Sequence, residues 1–282
     1  MRVSLLCAEN FKLDGGACFG VVPKSMWNKL FTADENNMLD ISLRELLVED
    51  GNRLILFDTG IGNKQNEKFR KNFYVADNDS LLNSFKTAGI SPDRVTDVVF
   101  THLHFDHCGG TFRIGEQNET IELFKNARYW CSKAQWNWAT NPNPREKASY
   151  LTENLQPLMD SGRLNFFENE GNFTPNIYIT LKNGHTDGQV IPLVKYRNRM
   201  LAYMADFIPT AAHISLPFVA SFDTRPLLSI DEKKSFLDEA AQQNYLLVFQ
   251  HDIANECCTV MQTEKGVRVN ETGTLEHFMN EI

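Results

Sequence analysis

Thr101-His102-Leu103-His104-Phe105-Asp106-His107-Cys108-Gly109-Gly110 is the stretch from which the fold can be read. Three of the seven histidines lie in it, with one carboxylate among them. Imidazole nitrogens and carboxylate oxygens are the ligand set of zinc and similar divalent ions. His102, His104, Asp106 and His107 all fall within reach of one small volume. The apolar run Val95-Thr96-Asp97-Val98-Val99-Phe100 ahead of them predicts a buried strand, and Gly109-Gly110 behind them predicts a sharp turn. A lone histidine usually sits on a surface or satisfies a core. Four potential ligands between a buried strand and a glycine pair point instead to a metal, held at a strand end and presented to a cleft.

Other segments repeat that pattern of an apolar strand followed by a ligand. Ser42–Glu49 and Arg53–Phe57 read as strands joined by the hairpin turn Asp50-Gly51-Asn52, and the second runs into Asp58-Thr59-Gly60. Asp58 is either an Asx-type turn residue or a carboxylate that accepts a proton from a ligand histidine. Ile177–Leu181 leads to Gly184-His185-Thr186-Asp187-Gly188, Met200–Ala205 to Asp206, and Tyr245–Gln250 to His251. Strand ends gathered at one rim would bring these side chains together. Ser80–Gly89 has helical spacing closed by a glycine. Residues 126–162, broken up by prolines and tryptophans, are expected to form two or three short helices inserted beside the cleft. Ser229-Ile230-Asp231-Glu232 has the form of a capping box opening a further helix.

The His-x-His-x-Asp-His run, Asp58-Thr59-Gly60 and the Gly-His-Thr-x-Gly of 184–188 resemble the metallo-β-lactamase-fold hydrolases over most of the chain. The match is greatest to the N-acyl homoserine lactonase and methyl parathion hydrolase branch. It rests on the segment from Gly15-Gly16 to Phe19-Gly20-Val21-Val22-Pro23-Lys24, on Asp206-Phe207-Ile208-Pro209-Thr210, and on the late His251. The resemblance implies an α+β fold, a four-layer αββα sandwich, with residues 1–282 forming a single metallo-β-lactamase-like hydrolase domain. It implies two divalent metal ions, zinc first, with manganese, iron or cobalt as the other candidates. His102, His104 and His185 would hold one ion, Asp106, His107 and His251 the other, and Asp206 both. A metal-bridging hydroxide would then cleave a small apolar lactone, ester or phosphotriester, with Asp106 carrying a proton to the leaving group. Phe19, Met26, Trp27, Phe105, Phe207, His213, Phe218 and Phe222 would line the substrate pocket. One departure narrows the substrate: N-acyl homoserine lactonases carry a tyrosine three residues beyond the bridging aspartate, and here that residue is Pro209.

Composition excludes several classes. In 282 residues, 42% are hydrophobic and 23% charged, which suits a globular chain with a sizeable interior. A net charge of −8 argues against nucleic acid as partner. No Walker or G-x-G-x-x-G pattern supports phosphate cradling. No run is long and apolar enough for a membrane span, and the apolar start breaks at Glu9 and Asn10, too early for a secretory leader. The six cysteines include an adjacent pair and one inside the histidine motif, unlike a disulfide framework. The expectation is a cytoplasmic monomer or homodimer acting on a small-molecule substrate. Two alternatives stand beside it. One is a glyoxalase-II-like thioesterase, although no basic C-terminal region for glutathione is visible. The other, from a different class, is a non-catalytic, metal-stabilised binding protein, which would bind metal and hydrolyse nothing.

Overall fold

Short, almost wholly apolar runs become parallel strands, because a strand covered on both faces needs no polar alternation. In the computed structural model, which describes residues 1–75 and 80–280, the strands are β1 (Arg2–Asp14), β2 (Met38–Asp50), β3 (Arg53–Phe57), β4 (Asp97–Val99), β5 (Phe112–Ile114), β6 (Thr120–Glu122), β7 (Arg128–Ser132), β8 (Leu164–Phe167), β9 (Gly171–Thr174), β10 (Ile177–Lys182), β11 (Gln189–Tyr196), β12 (Arg199–Tyr203), β13 (Leu246–Val248), β14 (Cys257–Thr263) and β15 (Gly266–Gly273). The α-helices are α1 (Gly15–Phe19), α2 (Lys24–Trp27), α3 (Glu67–Asn72), α4 (Ser80–Thr87), α5 (Phe105–Cys108), α6 (Lys133–Thr140), α7 (Thr152–Asp160), α8 (Pro226–Gln243) and α9 (Leu275–Asn280). No described helix is long and apolar enough to cross a membrane.

The chain divides into two compact units, Met1–Phe11 with Ser42–Asn169, and Lys12–Ile41 with Glu170–Ile282. The first is built on a six-stranded sheet in the order β1-β2-β3-β4-β7-β8. Strands β2 and β3 form the expected hairpin, with Asp50 opposite Arg53 and Gly51 at φ 63°. The pairs β3–β4, β4–β7 and β7–β8 are all parallel. Phe57, Val99 and Trp130 stand in register, so the loops that follow them leave from one sheet edge. That arrangement corrects the reading of 126–162 as helices alone. Arg128–Ser132 is a strand beside β4, and its buried Tyr129 and Cys131 are the signal that the neighbouring tryptophans and prolines obscured.

In the second unit a seven-stranded sheet runs β15-β14-β13-β12-β11-β10-β9. It is antiparallel except for β12–β13, where Tyr203 stands opposite Val248. Asp206 and His251 therefore each lie three residues beyond a paired position on adjacent parallel strands. Helix α8 packs Phe236, Leu237 and Ala240 into the core with Ile191, Ala202, Leu247 and Phe249, each large apolar side chain contributing about 1.5–3 kcal/mol. The helix starts at Pro226, not at Ser229. Proline suits a first turn, whose N–H groups lack intrahelical partners. Ser229 and Glu232 thereby fall inside the helix and become available to the loop that carries His185.

Gly109 and Gly110 are required for space, not for the turn expected of them. Gly109 has ordinary right-handed helical angles, φ −65° and ψ −34°. A Cβ on it would lie 2.1 Å from the Ile61 carbonyl oxygen, and one on Gly110 2.0 Å from that of Thr59. Gly110→Ala is expected to cost about 1–3 kcal/mol, read from the urea unfolding midpoint. An unchanged midpoint would refute the close approach as the reason for this glycine.

Candidate metal centre

In the first unit, β4 ends at Val99 and the chain then carries Thr101, His102 and His104, the last with extended angles of φ −64° and ψ 157°, before α5 opens. His102 Nε2 and His104 Nδ1 face each other at 3.0 Å. Two nitrogens at about 2.0–2.1 Å from one tetrahedral zinc lie roughly 3.3 Å apart, so the pair fits a shared ion. The opposite nitrogens face acceptors. Thr101 donates its hydroxyl proton to Asp58 at 2.7 Å, leaving its oxygen to accept from His102 Nδ1 at 3.2 Å. His104 Nε2 lies 3.4 Å from Glu146 Oε1. The two are close without forming a hydrogen bond, and because a carboxylate only accepts, Glu146 favours the proton on the ring nitrogen facing it. Along α5, His107 Nδ1 donates to Asp58 Oδ2 at 2.9 Å, and His107 Nε2 lies 3.5 Å from Asp106 Oδ2. Cys108, whose thiol burial pushes up to about 12, donates weakly to the carbonyls of Leu103 and His104 and serves packing.

The second unit supplies the remaining candidates by the same logic. Asp206 sets its two oxygens against different imidazoles, Oδ1 at 2.6 Å from His251 Nε2 and Oδ2 at 3.2 Å from His185 Nε2. His185 Nδ1 donates to Asp223 Oδ1 at 2.9 Å. Asp223 is held in turn by Ser229, which donates to its other oxygen at 2.6 Å. Glu232 accepts from the backbone N–H groups of Asn183 and Gly184 at 2.9 and 3.0 Å. Gly184 has no room for a side chain, since a Cβ would lie 2.5 Å from Ser229 Cα.

Thr101, Glu146, Asp223 and Ser229 were not anticipated. Glu146 stands in a Pro-rich stretch that reads as charged surface, yet it is 3% exposed. It accepts from Trp138 Nε1 at 2.6 Å, Asn143 Nδ2 at 2.5 Å and Tyr150 OH at 3.3 Å. One signal was available: each ligand histidine needs a hydrogen-bond acceptor behind it. The sequence does not say which acid fills that place.

The aromatic candidates separate into groups. Phe105 packs against Phe69 and Phe73, with ring centroids 4.9 and 5.1 Å away, making an apolar cluster beside α5 to which the sequence pattern gives no clue. In the second unit Phe19 is fully buried, stacked on Trp27 at 5.0 Å and His213 at 4.6 Å, with Phe218 edge-on. Phe207 lies in the α8 core against Phe236. Phe222 meets the His185 ring edge-on at 5.8 Å. Met26 is 53% exposed. His213 Nε2 donates to the Cys18 carbonyl and Nδ1 accepts from Thr210, so it ties the α1 segment down as a neutral ring.

Two outcomes follow from these contacts. Asp58→Asn and Glu146→Gln are each expected to lower zinc affinity about 10–100-fold, measured by competition with a chromophoric chelator. Unchanged affinity in Asp58→Asn would make that residue a turn former only. Burial lowers His213 from 6.5 to about 4. Between those values the unfolded chain binds a proton that the folded chain refuses. Stability is therefore full above pH 6.5 and falls towards pH 4, by roughly 3 kcal/mol. Urea titrations at pH 7 and pH 5 should show the loss, and His213→Asn should flatten it.

Residues 46–120 match the family model of the metallo-beta-lactamase superfamily. An N-acyl homoserine lactonase from Bacillus cereus is 24% identical over 240 residues, 80% of this chain and 87% of that protein. The crystal structure of a probable metal-dependent hydrolase from Staphylococcus aureus superimposes with a TM-score of 0.87 at 29% identity, covering 96% of this chain and 95% of that one. AidC, a dizinc quorum-quenching lactonase in complex with a product, gives a TM-score of 0.79 at 22% identity, covering 97% and 95%. The chain therefore carries a metallo-β-lactamase superfamily domain with the α+β fold of that superfamily, and its homologues and structural neighbours are hydrolases.

Proposed function

We propose that the chain is a dinuclear metal-dependent hydrolase acting on a small, neutral, largely apolar lactone, ester or phosphotriester. The observation that carries this reading is the donor set. His102, His104 and His185 would hold one ion, Asp106, His107 and His251 the other, and Asp206 both. Support comes from inside each unit: His102 and His104 converge on one point, and Asp206 divides its oxygens between two imidazoles. The residues fit the ions because Thr101, Glu146, Asp58 and Asp223 leave a basic nitrogen on each of four rings for a ligand bond. When bound, two such ions supply a water acidified to near-neutral pKa and draw charge from the oxygen that gains it.

The chain's own work is then orientation and proton transfer. Asp58, Glu146 and Asp223 hold the tautomers of His107, His104 and His185. Asp106 is the candidate to carry a proton to the leaving group. No thiol takes part, since Cys108 is buried and protonated at neutral pH. Phe105, Phe69 and Phe73 offer apolar surface beside α5, and such surface favours a neutral, apolar substrate. Pro209, where N-acyl homoserine lactonases have tyrosine, favours other lactones and aryl esters over acyl homoserine lactones. The whole chain of 282 residues is read as one hydrolase domain working on a small molecule.

Protein reconstituted with zinc or manganese is expected to hydrolyse at least one of an acyl homoserine lactone, an aryl ester and an aryl phosphotriester, and chelation should abolish that activity. Asp206→Ala should lose both turnover and much of the metal, measured by elemental analysis. Turnover of a glutathione thioester or a β-lactam in place of these would correct the substrate class and leave the metal chemistry standing. Tight metal binding with no hydrolysis of any panel member would favour a binding protein.

A further inference from the structure

One cavity of the first unit has no part in the hydrolase reading. It measures about 550 Å³ and lies between α6, α7 and the loop joining them, with Trp136, Ala139, Lys147, Tyr150, Leu155 and Met159 in its wall. We propose that it binds a small amphipathic carboxylate, of the size of a medium-chain fatty acid or an aryl acid.

The helix periodicity carries the first step. On α6 the lining positions are 136, 139 and 140, and on α7 they are 152, 155, 156 and 159. Both sets follow the i, i+3, i+4 spacing of a single helix face. Each helix thus turns one face to the cavity, and Trp136, Tyr150 and Leu155 are themselves buried in its wall. The volume falls within the roughly 300–1,000 Å³ of small-molecule sites, and the apolar part of the wall suits an alkyl or aryl body.

Charge selects the head group. The chain carries a net charge of −8, yet among the described residues no acidic side chain lines this cavity, and the one charged residue that does is Lys147. Lys147 is exposed and forms no salt bridge with any described residue. An unpaired ammonium beside apolar walls favours an anionic end on an apolar body. A single cation does not suffice for a nucleic-acid backbone, which is bound by several.

The site also has a neighbour of consequence. The Tyr150 ring lies 4.8 Å from that of His104, and its hydroxyl donates to Glu146. An occupant would therefore rest against a side chain that contacts both a candidate ligand and the acid behind it. Apolar carboxylates are also what hydrolysis of an apolar ester or lactone releases. The binding itself requires neither metal nor turnover, so it can be tested whatever the fate of the hydrolase reading.

The experiment is calorimetric titration of octanoate and of octanol into the purified full chain. Octanoate is expected to bind saturably at one site per chain and more tightly than octanol. Lys147→Glu should weaken octanoate by about two- to fivefold, the scale of an exposed ion pair, and leave octanol unchanged. Thr140→Trp, at an exposed position that also lines the cavity, should fill the space and remove both ligands, with circular dichroism confirming that the variant folds. Absence of octanoate binding would overturn the proposal, as would octanol binding equally well or Thr140→Trp binding octanoate like the parent chain.

Discussion

Asp58 holds the first unit's candidate ligands together through three hydrogen bonds. Its carboxylate accepts from the Thr101 backbone N–H and hydroxyl, both at 2.7 Å, and from His107 Nδ1 at 2.9 Å. To reach all three it adopts φ 62°, a left-handed conformation that costs a non-glycine residue about 1–2 kcal/mol. Charge-assisted bonds made in a fully buried place offset that strain. The result ties the end of β3 to the loop after β4 and to α5 at once. Neighbouring backbone follows suit: Thr59 N–H donates to the His107 carbonyl, and Gly110 N–H to that of Gly60. Two backbone segments laced this closely leave no room for a Cβ, and the glycine pair is the consequence.

The second unit reaches an equivalent result by different means. Its ligand loop is not laced to a second loop but clamped by a helix. Ser229 and Glu232, one turn apart on α8, take hold of Asp223 and of the backbone ahead of His185. Gly184 lets the loop lie against the helix. Further along α8, Lys233 is buried and gives its protons to the carbonyls of His213, Ser215 and Phe218 at 3.0, 3.0 and 2.8 Å. Burial lowers Lys233 to about 7, while three acceptors around Nζ call for all three protons of the ammonium form. Those carbonyls favour the charged state and work against the burial.

How far the sequence could be read follows from which forces act locally. Apolar runs ending in a candidate site residue were legible at β3, β4, β10, β12 and β13, because strand burial and the strand-end position both show in a short window. The hairpin at Gly51 was legible for the same reason. Arg128–Ser132 is hard to read because its alternation, with Tyr129 and Cys131 buried, spans only five residues and stands beside a stretch broken by prolines. The capping-box reading of Ser229 failed because the motif describes side chains bonding to their own helix, whereas these two bond to other segments. Glu146, Asp223 and Lys233 were invisible for a simpler reason. A buried charge in sequence looks like a surface charge until its partners are known, and those partners are as far as 38 residues away.

The placement of Glu146 explains what the segment around it contributes. His102 and His104 are two residues apart, and their rings meet edge-on with centroids 4.5 Å apart. For two neighbouring rings to reach one point, one presents its far nitrogen and the other its near one. Here His102 presents Nε2 and His104 presents Nδ1. The acceptor that fixes His104 must then stand beyond the far end of the ring, away from the backbone that β3 and β4 supply. Asp58, anchored at the end of β3, serves Thr101 and His107 and has no bond left for that position. Glu146 reaches it from the loop between α6 and α7, with Trp138, Asn143 and Tyr150 holding it in place. The helical segment after β7 therefore brings a buried carboxylate to within 3.4 Å of the far nitrogen of His104, a place that the strands themselves do not supply.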